Sequence, residues 1–139
     1  MNRVITIVST LAIIGNAAIA DPVRTETARN RHNYTLKLDL YNFVNGGWRG
    51  DANFSISACP QAACFRLSGS ISLPINPSTG LNEGSFQVAR LPCDLHFREV
   101  PRNGMDSGDW RVTLSSRDHS GKGCASLPAS LTGVYRQVD

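Results

Sequence analysis

Along most of this chain apolar side chains recur at every second position, a spacing that suits a β-strand with one buried face and not a helix. Tyr34, Leu36, Leu38 and Leu40 alternate with Thr35, Lys37 and Asp39. In the next segment Trp48, Ala52, Phe54 and Ile56 share one face, and Arg49, Asp51, Asn53 and Ser55 share the other. Asn45-Gly46-Gly47 between them tolerates positive φ, so the two segments read as a hairpin. Phe65, Leu67, Gly69, Ile71 and Leu73 alternate just as regularly with Arg66, Ser68, Ser70 and Ser72. Gly69 falls on the apolar face of that strand, where a missing side chain marks a bend or a close backbone approach.

Further strands are expected at Ser85 to Leu91, from Cys93 to Phe97, around Trp110, Val112 and Leu114, and in the closing segment Leu131 to Val138. No stretch keeps a 3.6-residue apolar period, although Ala125 to Leu131 has room for a helical turn. The expected fold is therefore all-β: a small, disulfide-stapled antiparallel barrel of about seven to eight strands. A β-sandwich is the alternative, because alternation alone does not separate the two. The barrel is preferred because the strands follow one another as hairpins without long crossovers.

The start of the chain reads as an export signal. One basic residue, Arg3, precedes the apolar run Val4 to Ile14, and Ala18-Ile19-Ala20 supplies small residues for a cleavage point before Asp21. That run is well short of the ~20 residues a spanning helix needs, so no membrane anchor is expected. The expected organisation is a signal peptide at 1–20, a flexible polar lead-in at 21–32 and a single β domain at 33–139. The expected location is the periplasm or outside the cell.

Cys59, Cys64, Cys93 and Cys124 form an even set in an exported chain, which reads as two disulfides. Pro60-Gln61-Ala62-Ala63 is a short loop that brings Cys59 to Cys64, leaving Cys93 for Cys124. Neither paired C-x2-C units nor nearby histidines are present to make a zinc site, so no metal or cofactor is expected.

The chain carries 14 basic and 11 acidic residues, and its arginines are interleaved with acids and polar groups along the sequence. A nucleic-acid partner is not expected from such a weak, mixed charge pattern. Of the three histidines, His96 lies on the polar face of its strand and His32 and His119 lie in loops, and Ser68-Gly69-Ser70 sits mid-strand and not in a nucleophile elbow. Asp106 and Asp109, which share a turn with Gly104 and Gly108, lack calcium-loop spacing and are explained by turn chemistry. The chain is therefore read as non-enzymatic. A hydrolase reading would require His96 or His119 to lie beside Asp118 or a serine in a cleft.

Cys93, the polar loop Asp118 to Gly123, then Cys124-Ala125-Ser126-Leu127-Pro128-Ala129 and Leu131-Thr132-Gly133-Val134-Tyr135-Arg136 together resemble the end of small exported bacterial calycin-like barrel proteins. Periplasmic lysozyme inhibitors use the same shape. The resemblance covers about a third of the chain and lacks the inhibitors' tyrosine-bearing motifs, since Ser68-Gly69 is not followed by tyrosine. It implies a binding protein, such as an inhibitor or immunity-type partner of a cell-wall hydrolase. No individual residue is carried over from it; the candidate contact residues, read from the chain itself, are Asp118, His119, Ser120, Gly121 and Lys122, in a polar loop that can enter a partner's cleft.

The loops at Pro74 to Gly84 and Pro101 to Asp109 are expected to share the contact surface. The expected partner is another protein in the periplasm or outside the cell. A small-ligand carrier with an apolar barrel interior is the alternative.

Overall fold

The computed structural model describes residues 24–59, 63–102 and 105–138, and side chains at 102 and 105–107 lie outside that description. The expected signal peptide and its cleavage point fall outside it too. Nine antiparallel strands form one curled half-barrel sheet: β1 (Arg24–Arg29), β2 (Thr35–Val44), β3 (Gly47–Ala58), β4 (Phe65–Ser72), β5 (Ile75–Asn76), β6 (Leu81–Gln87), β7 (Cys93–Arg102), β8 (Met105–Ser116) and β9 (Gly133–Gln137). The only helical piece among the described residues is a 3-10 turn, Ala129–Leu131.

Each strand pairs with its neighbour in sequence, apart from the β4–β5 seam, and β1 pairs with β9 to unite the two halves in the order β4-β3-β2-β1-β9-β8-β7-β6-β5. The first hairpin turns where expected, with Val44 opposite Gly47 and positive φ at both Asn45 (52°) and Gly46 (80°). That is the primed turn whose twist matches its flanking strands.

The count exceeds the expected seven to eight because β5 forms inside the segment read as a loop and β1 in the segment read as a lead-in. Residues 24–29 form β1, which pairs along its whole length with β2 and at its end with β9. Its sequence, Arg-Thr-Glu-Thr-Ala-Arg, holds one apolar residue, Ala28, so alternation gave no signal. Backbone pairing with two partners makes the strand, and Ala28 is fully enclosed.

The inward faces are those the alternation marked. Leu36, Leu38 and Leu40 of β2 meet Ala52, Phe54 and Ile56 of β3 across the ladder, and Leu95, Phe97, Trp110, Val112 and Tyr135 face them from the other half. Each fully buried Leu, Ile or Phe contributes ~1.5–3 kcal/mol. Phe54 lies between Phe86 and Phe97, with ring centroids 4.9 and 5.1 Å away.

The sheet's two edges, β4 and β5–β6, meet at a seam with no full ladder. Glu83 N donates to Pro74 O (3.1 Å) and Asn82 Nδ2 to Leu73 O (2.7 Å), while Leu73 N extends the β3–β4 pairing to Gly50 O (2.6 Å). Gly84 and Gly69 allow the approach, since a Cβ on Gly84 would overlap the Ser72 carbonyl and one on Gly69 the Phe86 ring.

One end of the sheet is closed by polar bonding as well as by packing. Asn30 is buried, donates from Nδ2 to Ser130 O (2.8 Å) and accepts from the backbone N–H of His32 and Tyr34 (3.0 Å each). Tyr135 Oη donates to Leu131 O at 2.5 Å, so the 3-10 turn is tied to β9 below it.

Candidate functional site

At that same end, β8 leads through Arg117 into the loop 118–123 that the sequence singled out. Ser116 and Ser120 both donate from Oγ to Asp118 Oδ1, each at 2.9 Å. The loop backbone then closes on those hydroxyls, with Gly123 N donating to Ser116 Oγ (2.8 Å) and Lys122 N to Ser120 Oγ (3.1 Å). Hydrogen bonds from Ser116 and then Ser120, with smaller help from the backbone of Lys122 and Gly121, hold the Asp118 carboxyl below its usual range. Gly121, at φ 73°, provides the left-handed step that the loop needs.

Both ends of the loop are anchored. Arg117 donates to Asp94 (2.8 Å) and to Leu91 O (2.9 Å), and the Cys93–Cys124 disulfide fixes the exit to β7. The other bridge joins Cys59 to Cys64, so both pairings are those the loop lengths favoured. Asp118 and Ser120 thus spend their side chains inside the loop, while His119 and Lys122 point to solvent. Beside the loop a groove of about 580 Å³ runs between Gly121 and Lys122 on one side and Thr113, Leu114, Leu127 and Ala129 on the other.

The two other loops do not join this surface. In an antiparallel meander alternate connections fall at opposite ends, and the β5–β6 and β7–β8 connections lie at the far end from 118–123. They are also shorter than expected. β5 and β6 occupy much of 74–84, and β7 and β8 extend to Arg102 and from Met105.

Asp109 is no turn residue. It is fully buried in β8, accepts from Gln137 N (2.8 Å) and pairs with Arg136 (3.0 Å). Among the described residues no three of His, Cys, Asp and Glu gather as a metal site, and no helix is long and apolar enough to cross a membrane.

No family model, no curated protein and no solved structure matches this chain.

Sequence reasoning missed what the register assembles on the outer face. Arg98 of β7 stands opposite Arg111 of β8, and Arg29 of β1 opposite Arg136 of β9, although these residues are scattered along the chain. Ser85 of β6 stands opposite His96 of β7, with Oγ and Nδ1 2.6 Å apart. That places a histidine beside a serine, one of the conditions set for a hydrolase. The third member is missing from the described residues, because no carboxylate orients the other imidazole nitrogen. His32 lies at the β1–β2 turn and His119 in the loop, each apart from this pair.

Proposed function

We propose that this is an exported, non-enzymatic binding protein that engages another protein outside the cytoplasm through the loop 118–123 and the groove beside it. A cell-wall hydrolase is the partner class, with the loop entering its cleft as an inhibitor or immunity-type protein would. The observation that carries the reading is that the loop is locked from within by the Ser116–Asp118–Ser120 bonds while His119 and Lys122 stay exposed. A contact element already held in its bound shape gives up little conformational freedom on association.

Two disulfides support an oxidising, extracytoplasmic location. The packed Phe54, Phe86 and Phe97 rings and the enclosed leucines favour a filled interior over a ligand-carrying one.

The test is inhibition of a panel of peptidoglycan-cleaving muramidases, amidases and endopeptidases by the purified protein and by His119→Ala and Lys122→Glu. Both substitutions lie at exposed positions and leave the fold intact. Inhibition of one enzyme class that is lost in these variants is expected. Inhibition that both variants retain would contradict the loop's role.

A further inference from the structure

β6, β7 and β8 present to solvent a set of groups that neither the core nor the loop uses. The register sets Ser85 opposite His96, His96 opposite Thr113, and Arg98 opposite Arg111. These residues, with Glu83, line one open groove of about 450 Å³. Like charges directly opposite each other on a sheet face disfavour the pairing, so Arg98 and Arg111 need a counter-charge.

Glu83 provides it for Arg98 alone, from 3.6 Å. Arg111 has Val134 on its other side and no carboxylate within ion-pair reach among the described residues. Acids elsewhere on this face are engaged: Asp94 with Arg117 and Asp109 with Arg136.

The Ser85 bond fixes the imidazole. Which of the two groups donates depends on the imidazole tautomer, and in the one where the hydroxyl donates to Nδ1 the ring proton sits on Nε2 as a further donor. The groups then on offer are the Arg111 guanidinium, the N–H groups of Arg98 that Glu83 leaves free, the imidazole and the Thr113 hydroxyl. Donors outnumber acceptors and the charge is positive, which is the complement of an oxygen-rich anion.

We infer that Ser85, His96, Arg98, Arg111 and Thr113 form a binding site for a compact oxyanion group, with Arg111 as the principal contact and Ser85 as the residue that positions the imidazole. The group is a phosphate, sulfate or carboxylate, either as a free ion or carried on a larger molecule. Thr113 also lines the groove beside the loop, so a partner seated there would find this site next to it. The inference does not depend on that partner.

The experiment is an NMR titration of the isotope-labelled protein with sodium phosphate, sodium sulfate or sodium acetate, at ionic strength held constant with chloride. The three probes separate tetrahedral from planar anions. Saturable shifts centred on Ser85, His96, Arg98, Arg111 and Thr113 are expected, with a dissociation constant on the order of 1 mM for the preferred probe. Arg111→Gln should weaken binding about tenfold, as loss of one charge-assisted contact does. Arg29→Gln, which alters the other arginine pair, should leave binding unchanged. Shifts that fail to saturate with all three probes would overturn the inference. So would equal weakening by the Arg29 and Arg111 substitutions, which would mean diffuse attraction to a basic surface.

Discussion

The ring of Phe86 in β6 lies directly over Gly69 in β4, where a Cβ would overlap its Cε1 and Cζ atoms. The contact spans the seam at which the curled sheet meets itself, and the same ring stacks edge-on against Phe54. Gly69→Ala should therefore destabilise the protein by ~1–3 kcal/mol, because the ring has to leave a packed position. In a Phe86→Ala background the same substitution should cost much less. A double-mutant cycle by chemical denaturation measures the difference, and equal costs in both backgrounds would show that the seam does not depend on this contact.

Asp109 joins β8 to β9 from a fully buried position, with one oxygen on Arg136 and the other on the Gln137 amide. Asp109→Ala should cost about 2–4 kcal/mol, since it strands a backbone donor and breaks the ion pair. Arg136→Ala should cost less, because that side chain is 63% exposed and its removal lets water reach the carboxylate. Urea unfolding of the two variants gives the order.

Burial, and secondarily the nearby Tyr34, raises the Tyr135 hydroxyl well above its usual value of 10.0. A raised folded value means the neutral form is the one the fold holds. The stability it lends is complete below pH 10.0 and is lost as pH rises from there through the folded value. Spectrophotometric titration should show one of the three tyrosines ionising only with alkaline unfolding. Tyr135→Phe should remove that coupled step and cost ~1 kcal/mol at neutral pH through the lost bond to Leu131.

The disulfides differ in what they close. Cys93 and Cys124 are 31 residues apart and hold the loop 118–123 to β7, whereas Cys59 and Cys64 are 5 apart. Replacing the first pair by serine should cost ~2–5 kcal/mol and the second less, following the loop-length dependence of the unfolded chain's entropy. Thermal unfolding of the two double variants compares them directly.

Much of the sheet was legible because strand faces are a local property. Leu36, Leu38 and Leu40 announce their buried side, Asn45-Gly46 its turn and Gly69 its close approach, all within a few residues of sequence. The loop 118–123 was legible too, from Ser120, its two glycines and the flanking Cys124.

β1 was not, because Ala28 alone carries its apolar signal and its ladder with β9 joins opposite ends of the chain. The Arg98–Arg111 and Ser85–His96 pairs were hidden for the same reason. Register between strands sets them side by side, and their own neighbours in sequence do not reveal it. Asp109 looked like a turn residue beside Gly108 because its partners, Arg136 and Gln137, are a strand away.

The central claim is that the end of the sheet bearing loop 118–123 is the face that meets a partner. It is tested most directly by mapping NMR shifts of the labelled protein on addition of the hydrolase that the inhibition panel selects. The account predicts perturbations at His119, Gly121, Lys122, Leu127 and Ala129, extending along Thr113. Perturbations centred on the β5–β6 and β7–β8 connections at the opposite end, or no perturbation by any hydrolase of the panel, would contradict it.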